Sequence, residues 1–341
     1  MRYVGIDVHQ RMSAICILDE NGKKEKALTV RGNWSKLFKA VEAEREAGPV
    51  AVCYEASNGY GFLYDHFSRM AERVVVAHPG QLRLIFRSKR KNDRVDAEKL
   101  AKLLFLDEVP PVYVPRVDVR AWRRLITFRH KCIAERTRVK NRLRGLLRRN
   151  GIEIPEWIKL LWTRKGLAWL AGLEWPEEGL ALERDILVEE LHSCGERVGR
   201  IERHLNATAK SHPGVQILMT IPGVGPRTAE AMVAWIDNVN RFARIKQIGS
   251  YFGLVPSQDS SAGFNRLGHI TRQGPGVVRM LLTEAAWQAI RRAPPVQAFY
   301  QRVQRGDPNR RKIAIVATAH HLARVMAAML RSGEPWRKAA A

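Results

Sequence analysis

At 341 residues the chain is long enough for two or three domains with their own cores, and its 45% hydrophobic content excludes wholesale disorder. Lys and Arg total 58 against 34 Asp and Glu, a formal net charge of +24, and a basic surface of that size concentrates phosphate polyanions, making nucleic acid the expected partner. No run of about 18 apolar residues reads as a membrane span and "MRYVGIDVHQ" reads as a strand rather than a leader, so a cytoplasmic, nucleoid-associated protein with no membrane partner is expected.

Residues 1–108 alternate strands and helices. "RYVGIDVH", "MSAICILDE" and "KKEKALTV" read as three strands, with "ENGK" as a hairpin signal. "WSKLFKAVEAERE" has helical spacing and stops before Gly48-Pro49. "PVAVCYEA" reads as a buried strand, "GFLYDHFSRMAE" as a helix, "RVVVAHP" as a strand and "GQLRLIFRSK" as a helix. Three strands, then helix, strand, helix, strand, helix is the order of a ribonuclease-H-like α/β domain. The sugar-kinase and actin fold opens in the same way, so order alone does not decide between them.

Residues 109–210 read as a helical linker domain. "VRAWRRLITFRHKCIAERTRVKNRLRGLLRRNG" aligns Leu125, Phe128, Cys132, Val139, Leu143 and Leu146 on one face, with Asn150-Gly151 as the stop. "LALERDILVEELHSCGERVGRIERHLNATAK" aligns Ile186, Leu187, Leu191, Cys194, Val198, Ile201 and Leu205. Two such helices suggest an antiparallel coiled-coil hairpin that could also form a dimer seam. Residues 116–149 carry 13 Lys or Arg against Asp118 and Glu135, which suits a surface that tracks phosphates, with Arg123, Arg124, Arg138, Lys140, Arg142 and Arg144 as candidate contacts.

Residues 211–341 read as mainly helical with a loop-rich centre. "IPGVGPRTAEAMVAWI" has the form of a helix-hairpin-helix, with Gly223 and Gly225 in a turn whose N–H groups are suited to a phosphate. "RLGHITRQGPGVVRMLLTEAAWQAI" offers Arg266, Arg272 and Arg279 with no acid before Glu284. The four cysteines, Cys16, Cys53, Cys132 and Cys194, form no CxxC pair, which favours neither a zinc site nor a disulfide framework.

Against this basic background the carboxylates inside ordered segments are conspicuous. Asp7 interrupts the apolar strand "YVGIDVH", and Glu55 ends "VAVCYEAS". A buried carboxylate is costly unless paired or bound to metal. In a ribonuclease-H-like sheet the first and fourth strands are neighbours, placing Asp7 beside Glu55. "KRKNDRVDAEKLAKLL" adds Asp93 and Asp96, one turn apart at the start of the helix that returns to that edge. Each acid alone has a plain explanation: Asp7 as the start of a turn, Asp93 as a helix cap. Together, four hard oxygen donors fit Mg²⁺ or Mn²⁺.

"GIDVHQ", "YEAS" and "KNDRVDAEKLAKLL" resemble the DEDD motifs of transposases of the insertion-sequence family numbered 110, including its 1111 subgroup, and of the related Piv-type DNA invertases. "TIPGVGPRTA" and "YFGLVPSQDSSAGFNRLGHITRQGPGVVR" resemble the family's second, transposase-specific domain. The resemblance implies a site-specific DNA recombinase with a RuvC-like domain holding Mg²⁺ through Asp7, Glu55, Asp93 and Asp96. It implies a serine, Ser261 by position after "GLVP", that forms a covalent phosphoserine with DNA. The sequence reads "SSAG" where many members have "SSGG", which leaves the neighbouring Ser260 as an alternative. It also implies a noncoding bridge RNA that pairs with donor and target DNA. A homodimer or tetramer is the expected assembly. A hydrolytic RuvC-like nuclease or Holliday-junction resolvase would use the same acids without the serine, and a non-catalytic nucleic-acid-binding protein would use neither. An actin-like kinase would need Gly-rich phosphate loops, which do not follow "GIDVHQ".

Overall fold

The computed structural model describes residues 1–85, 92–261 and 264–337. They fall into two compact units, Met1–Arg120 and Ala121–Ala341.

The first unit runs β1 (Arg2–Val8), β2 (Met12–Leu18), β3 (Lys24–Arg31), α1 (Trp34–Ala43), β4 (Val50–Glu55), α2 (Tyr60–Phe67), β5 (Arg73–Ala77), α3 (Pro79–Ile85) and α4 (Asp93–Phe105). The strands form one mixed sheet in the order β3-β2-β1-β4-β5, with β1 antiparallel to β2 and parallel to β4. The expected element order and the expected adjacency of the first and fourth strands are therefore both present. The β2–β3 turn is tied by Asp19, whose carboxylate accepts from the Asn21 and Lys23 N–H groups at 2.9 and 2.8 Å.

Alternation along β1 explains how both faces of the sheet are used. Val4 and Ile6 enter a core shared with Leu37 and Phe38 of α1 and Leu63 and Phe67 of α2. Tyr3, Gly5 and Asp7 take the other parity, the face against which α4 packs through Ala97 and Ala101. Cover on both faces is why "SAICIL" and "VAVCY" read as unbroken apolar runs rather than alternating ones. The outer strand β3 begins with exposed Lys24, Glu25 and Lys26, a charged edge that resists further pairing.

The second unit contains α5 (Val117–Arg149, whose first turn belongs to the first unit), α6 (Arg164–Ala171), α7 (Glu178–Ser211), α8 (Pro213–Met219), α9 (Pro226–Ile236) and α10 (Gln247–Tyr251). A hairpin follows, β6 (Pro256–Ser261) and β7 (Phe264–Ile270), and then α11 (Gly276–Arg292), α12 (Pro294–Gln304) and α13 (Arg311–Ser332). Ion pairs give the direction of α5 against α7. Arg129 meets Glu202, Glu135 meets Arg197 at 3.7 Å, Arg142 meets Glu190 at 2.8 Å, and Arg149 meets Glu183 at 3.4 Å. As one number rises the other falls, so the two helices run antiparallel.

Their seam differs from expectation at two positions. Cys132, Val139, Leu143 and Leu146 of α5 and Leu187, Leu191, Cys194, Val198, Ile201 and Leu205 of α7 are buried, but Phe128 and Ile186 are 51% and 54% exposed. In each case an arginine holds the nearby inward position. Arg129 pairs with Glu202. The buried Arg184 donates from Nη1 to the carbonyls of Leu170, Ala171 and Leu173 at 2.9–3.2 Å, closing the C-terminal end of α6.

The stretch Pro308–Ser332, which contains α13, is long and apolar enough to cross a membrane, with a mean hydropathy of 1.6 over an 18-residue window. Half of that window is buried, and Ala314, Ala319, Leu322, Ala323, Met326 and Ala327 lie in the core of the second unit. Its apolar character is thus that of a central helix.

Candidate active site

The site begins with a close approach that only small residues permit. A Cβ on Gly5 would stand 2.1 Å from the Ala97 carbonyl oxygen and 2.3 Å from the Ala101 nitrogen, so the backbone of α4 lies directly on β1. The first turn of α4 therefore reaches the end of β1 that carries Asp7. Further pins orient the helix: Arg94 Nε donates to Thr29 Oγ1 at 3.3 Å, and Lys24 Nζ to Glu98 Oε2 at 2.7 Å.

Asn92 caps α4, its side-chain oxygen accepting from the Arg94 N–H at 3.1 Å. Asp93 and Asp96 are both free of that duty, so capping does not account for either. Being in the first turn, both gain from the positive end of the helix dipole.

The acids gather with a residue that pattern reasoning passed over. His9 Nε2 stands 3.4 Å from Asp7 Oδ2 and 3.8 Å from Asp93 Oδ2. One donor atom from each of Asp7, His9 and Asp93 lies within 4.8 Å of the others. Burial pushes the Asp7 carboxyl above its usual range; His9 pulls it down, while the charges of Asp93 and Asp96 push it up again. Lys99 Nζ reaches Asp96 Oδ1 at 3.0 Å. Glu55 is less closely engaged. It follows Tyr54, the register partner of Ile6, as Asp7 follows Ile6, which sets it beside Asp7 along the parallel pair. It is nevertheless exposed and outside the Asp7–His9–Asp93 group. The signal for His9 was its spacing: two residues beyond Asp7 on an extended segment, it shares that face.

A set of clustered carboxylates and one imidazole fits a divalent cation. Burial first, and then the like charges of Asp93 and Asp96, raise the Asp7 carboxyl in the protein alone, and a bound cation opposes both.

In the second unit the expected loop is a β-hairpin. β6 and β7 pair from Pro256↔Ile270 to Ser261↔Phe264. Its base is locked: Arg279 Nη1 donates to the Phe252 and Gln273 carbonyls at 3.1 and 2.5 Å, and the Thr271 N–H donates to the Val255 carbonyl at 2.9 Å. Ser261 is the last residue of β6, and the side chains of Ser260 and Ser261 lie outside the described residues, as do Ala262 and Gly263. Arg266 is exposed on β7, and Arg272 follows the hairpin with φ +54°.

The other candidate contacts are variously engaged. Gly223 has φ +94°, and a Cβ there would meet the Ala289 nitrogen at 2.5 Å, so packing on α11 requires this glycine. Gly225 is the N-cap of α9 and has open space around its Cβ position. Arg123 closes the end of α9, donating to the Ala234 and Trp235 carbonyls at 2.7 and 3.0 Å. Arg124 and Arg138 are exposed, Arg142 pairs with Glu190, and Lys140 and Arg144 each lie 5.2 Å from the Trp162 ring centre.

Comparison with known proteins places both units. Residues 4–151 match the transposase family of the DEDD, IS110 type, and residues 215–301 match the Transposase IS116/IS110/IS902 family. The chain is 26% identical to the transposase for insertion sequence element IS1111A of Coxiella burnetii over 85% of this chain and 78% of that one. It is 27% identical to a probable family 20 transposase of Pseudomonas aeruginosa, covering 84% and 85%. With the transposase for insertion sequence element IS1328 of Yersinia enterocolitica it shares 29% identity over 70% of each chain.

Proposed function

Because the chain belongs to the IS116/IS110/IS902 family of insertion-sequence transposases, we propose that it cleaves and rejoins DNA at an active site combining the acids of the first unit with Ser261 of the second. The observation that carries this reading is the convergence of Asp7 and Asp93 on one side of the sheet, with Asp96 near enough to act on the Asp7 carboxyl.

In this reading Asp7, Asp93, Asp96 and Glu55 hold Mg²⁺ or Mn²⁺, which when bound supplies a Lewis acid for the scissile phosphodiester. Ser261 Oγ attacks phosphorus; its proton leaves as the departing deoxyribose oxygen gains one, and a phosphoserine links protein to DNA. Rejoining reverses the exchange, with a strand hydroxyl displacing Ser261, so the phosphodiester energy is conserved without ATP. Arg266 and Arg272 neutralise charge on the attacked phosphate.

The antiparallel α5–α7 pair acts as a coiled coil and dimer or tetramer seam, and the α8–α9 turn as a helix-hairpin-helix contacting phosphate. The basic face of α5 grips a bridge RNA that selects donor and target DNA, by shape and backbone rather than sequence. Labelled DNA run on a denaturing gel tests the chemistry: a covalent protein–DNA band in the presence of Mg²⁺ supports it, whereas cleavage with no such band assigns the chain to the hydrolytic nucleases.

A further inference from the structure

We infer that His9 is itself a ligand of the cation, so that the centre is a mixed nitrogen–oxygen site which prefers Mn²⁺ to Mg²⁺. The inference rests on the metal-dependent reading above and goes beyond it by naming a donor outside the four acids.

The donor spacings fall within the span that one six-coordinate ion covers. Bonds of about 2.1 Å put two donors about 3.0 Å apart when adjacent on an octahedral ion and about 4.2 Å apart when opposite. His9 Nε2 lies 3.4 Å from Asp7 Oδ2 and 3.8 Å from Asp93 Oδ2, between those limits.

The backbone is already in place. The His9 carbonyl accepts from Trp34 Nε1 at 3.2 Å and from Ser13 Oγ at 3.5 Å, which anchors the residue just beyond the end of β1. The imidazole itself is half exposed, giving an ion a path from solvent, while Asp7 beneath it is only 19% exposed. Of the residues beside Asp7, it is the imidazole that completes a close group of three donors with Asp7 and Asp93.

Donor chemistry then sets the preference. Mg²⁺ takes oxygen donors and holds its waters tightly. Imidazole is a donor for first-row transition ions, and of the two ions considered for this centre only Mn²⁺ belongs to that series.

The test is Mn²⁺ binding by the full-length protein without DNA, followed by calorimetry and by pulsed electron paramagnetic resonance. Wild type should bind Mn²⁺ more tightly than Mg²⁺ and show nitrogen hyperfine coupling. In His9→Ala that coupling should vanish and Mn²⁺ affinity should fall at least about ten-fold, the lower end of the loss seen when even an outer-sphere partner of a metal ligand is removed. His9→Asp should retain the ion, lose the coupling and bring the two affinities together. Asp7→Asn is the control for the centre. Mn²⁺ bound in wild type and lost in Asp7→Asn, but with coupling unchanged in His9→Ala, would overturn the role of His9 and leave the acid site standing. Mn²⁺ binding unaffected by Asp7→Asn would overturn both.

Discussion

Asn92 and Asp93 are adjacent, chemically similar and assigned different duties, and that contrast is testable. Asn92→Ala removes the cap of α4 and should lower stability by about 0.5–2 kcal/mol, read from thermal or denaturant unfolding. Asp93→Asn should leave the melting curve almost unchanged and abolish strand cleavage, as should Asp7→Asn, Asp96→Asn and Glu55→Gln, with nucleic-acid binding retained in each. Full cleavage by Glu55→Gln would remove that exposed residue from the set. Much of this was legible: a carboxylate inside an apolar strand and two acids one turn apart are departures from pattern with a physical cost. His9 was harder to single out: its spacing puts it on the face of Asp7, but a polar residue just past a strand breaks no rule until its neighbours in space are known.

Glu230 is fully buried in α9 beside Arg227. Its Oε1 is 3.0 Å from Arg227 Nη1, yet neither atom is in hydrogen-bond geometry. Burial outweighs the neighbouring guanidinium and pushes the carboxyl from 4.5 to about 7. A raised acid keeps its proton in the folded state where the unfolded chain has lost it. Stability therefore falls as pH rises from about 4.5 to about 7 and levels off above, by at most on the order of 3 kcal/mol. Glu230→Gln should flatten that part of the stability profile; an unchanged profile would show that the carboxylate is well satisfied when ionised.

Among the elements, the β1–α4 contact is the one on which the site's geometry depends most. Gly5→Ala drives a methyl into the α4 backbone at distances that no rotamer change relieves, and should cost about 1–3 kcal/mol or more. Because the helix must shift, cleavage should fall more steeply than the melting temperature, a split measurable on one preparation. The strand and helix order of the first unit was readable because burial on both sheet faces writes itself as apolar runs. The β6–β7 hairpin was not readable: "SQDSS" is polar, "FNRLGHI" spaces its apolar residues by three rather than two, and the described side chains from Pro256 to Gln258 and at Leu267 are exposed, so no period of two marks them as strands. At Phe128 and Ile186 the seam was misplaced because Arg129 and Arg184 occupy the inward positions, where pattern reasoning looks for an apolar residue.

At the scale of the whole molecule, a net charge of +24 predicts strongly salt-dependent nucleic-acid binding. The α5 cations are not equivalent contributors: Arg123 is committed to the end of α9, and Arg142 is partly neutralised by Glu190. Replacing Arg138, Lys140, Arg142 and Arg144 with Ala should weaken RNA binding and reduce the log–log salt slope by about 0.7–0.9 for each phosphate that the variant no longer neutralises. Unchanged RNA affinity would place the binding surface elsewhere. The decisive measurement uses labelled substrate DNA and Mg²⁺, with the proposed guide RNA present, analysed on a denaturing gel for wild type, Ser261→Ala, Ser260→Ala and Asp7→Asn. The expected result is a covalent protein–DNA band for wild type and Ser260→Ala and none for Ser261→Ala or Asp7→Asn; DNA cleaved by wild type without any covalent band would contradict it.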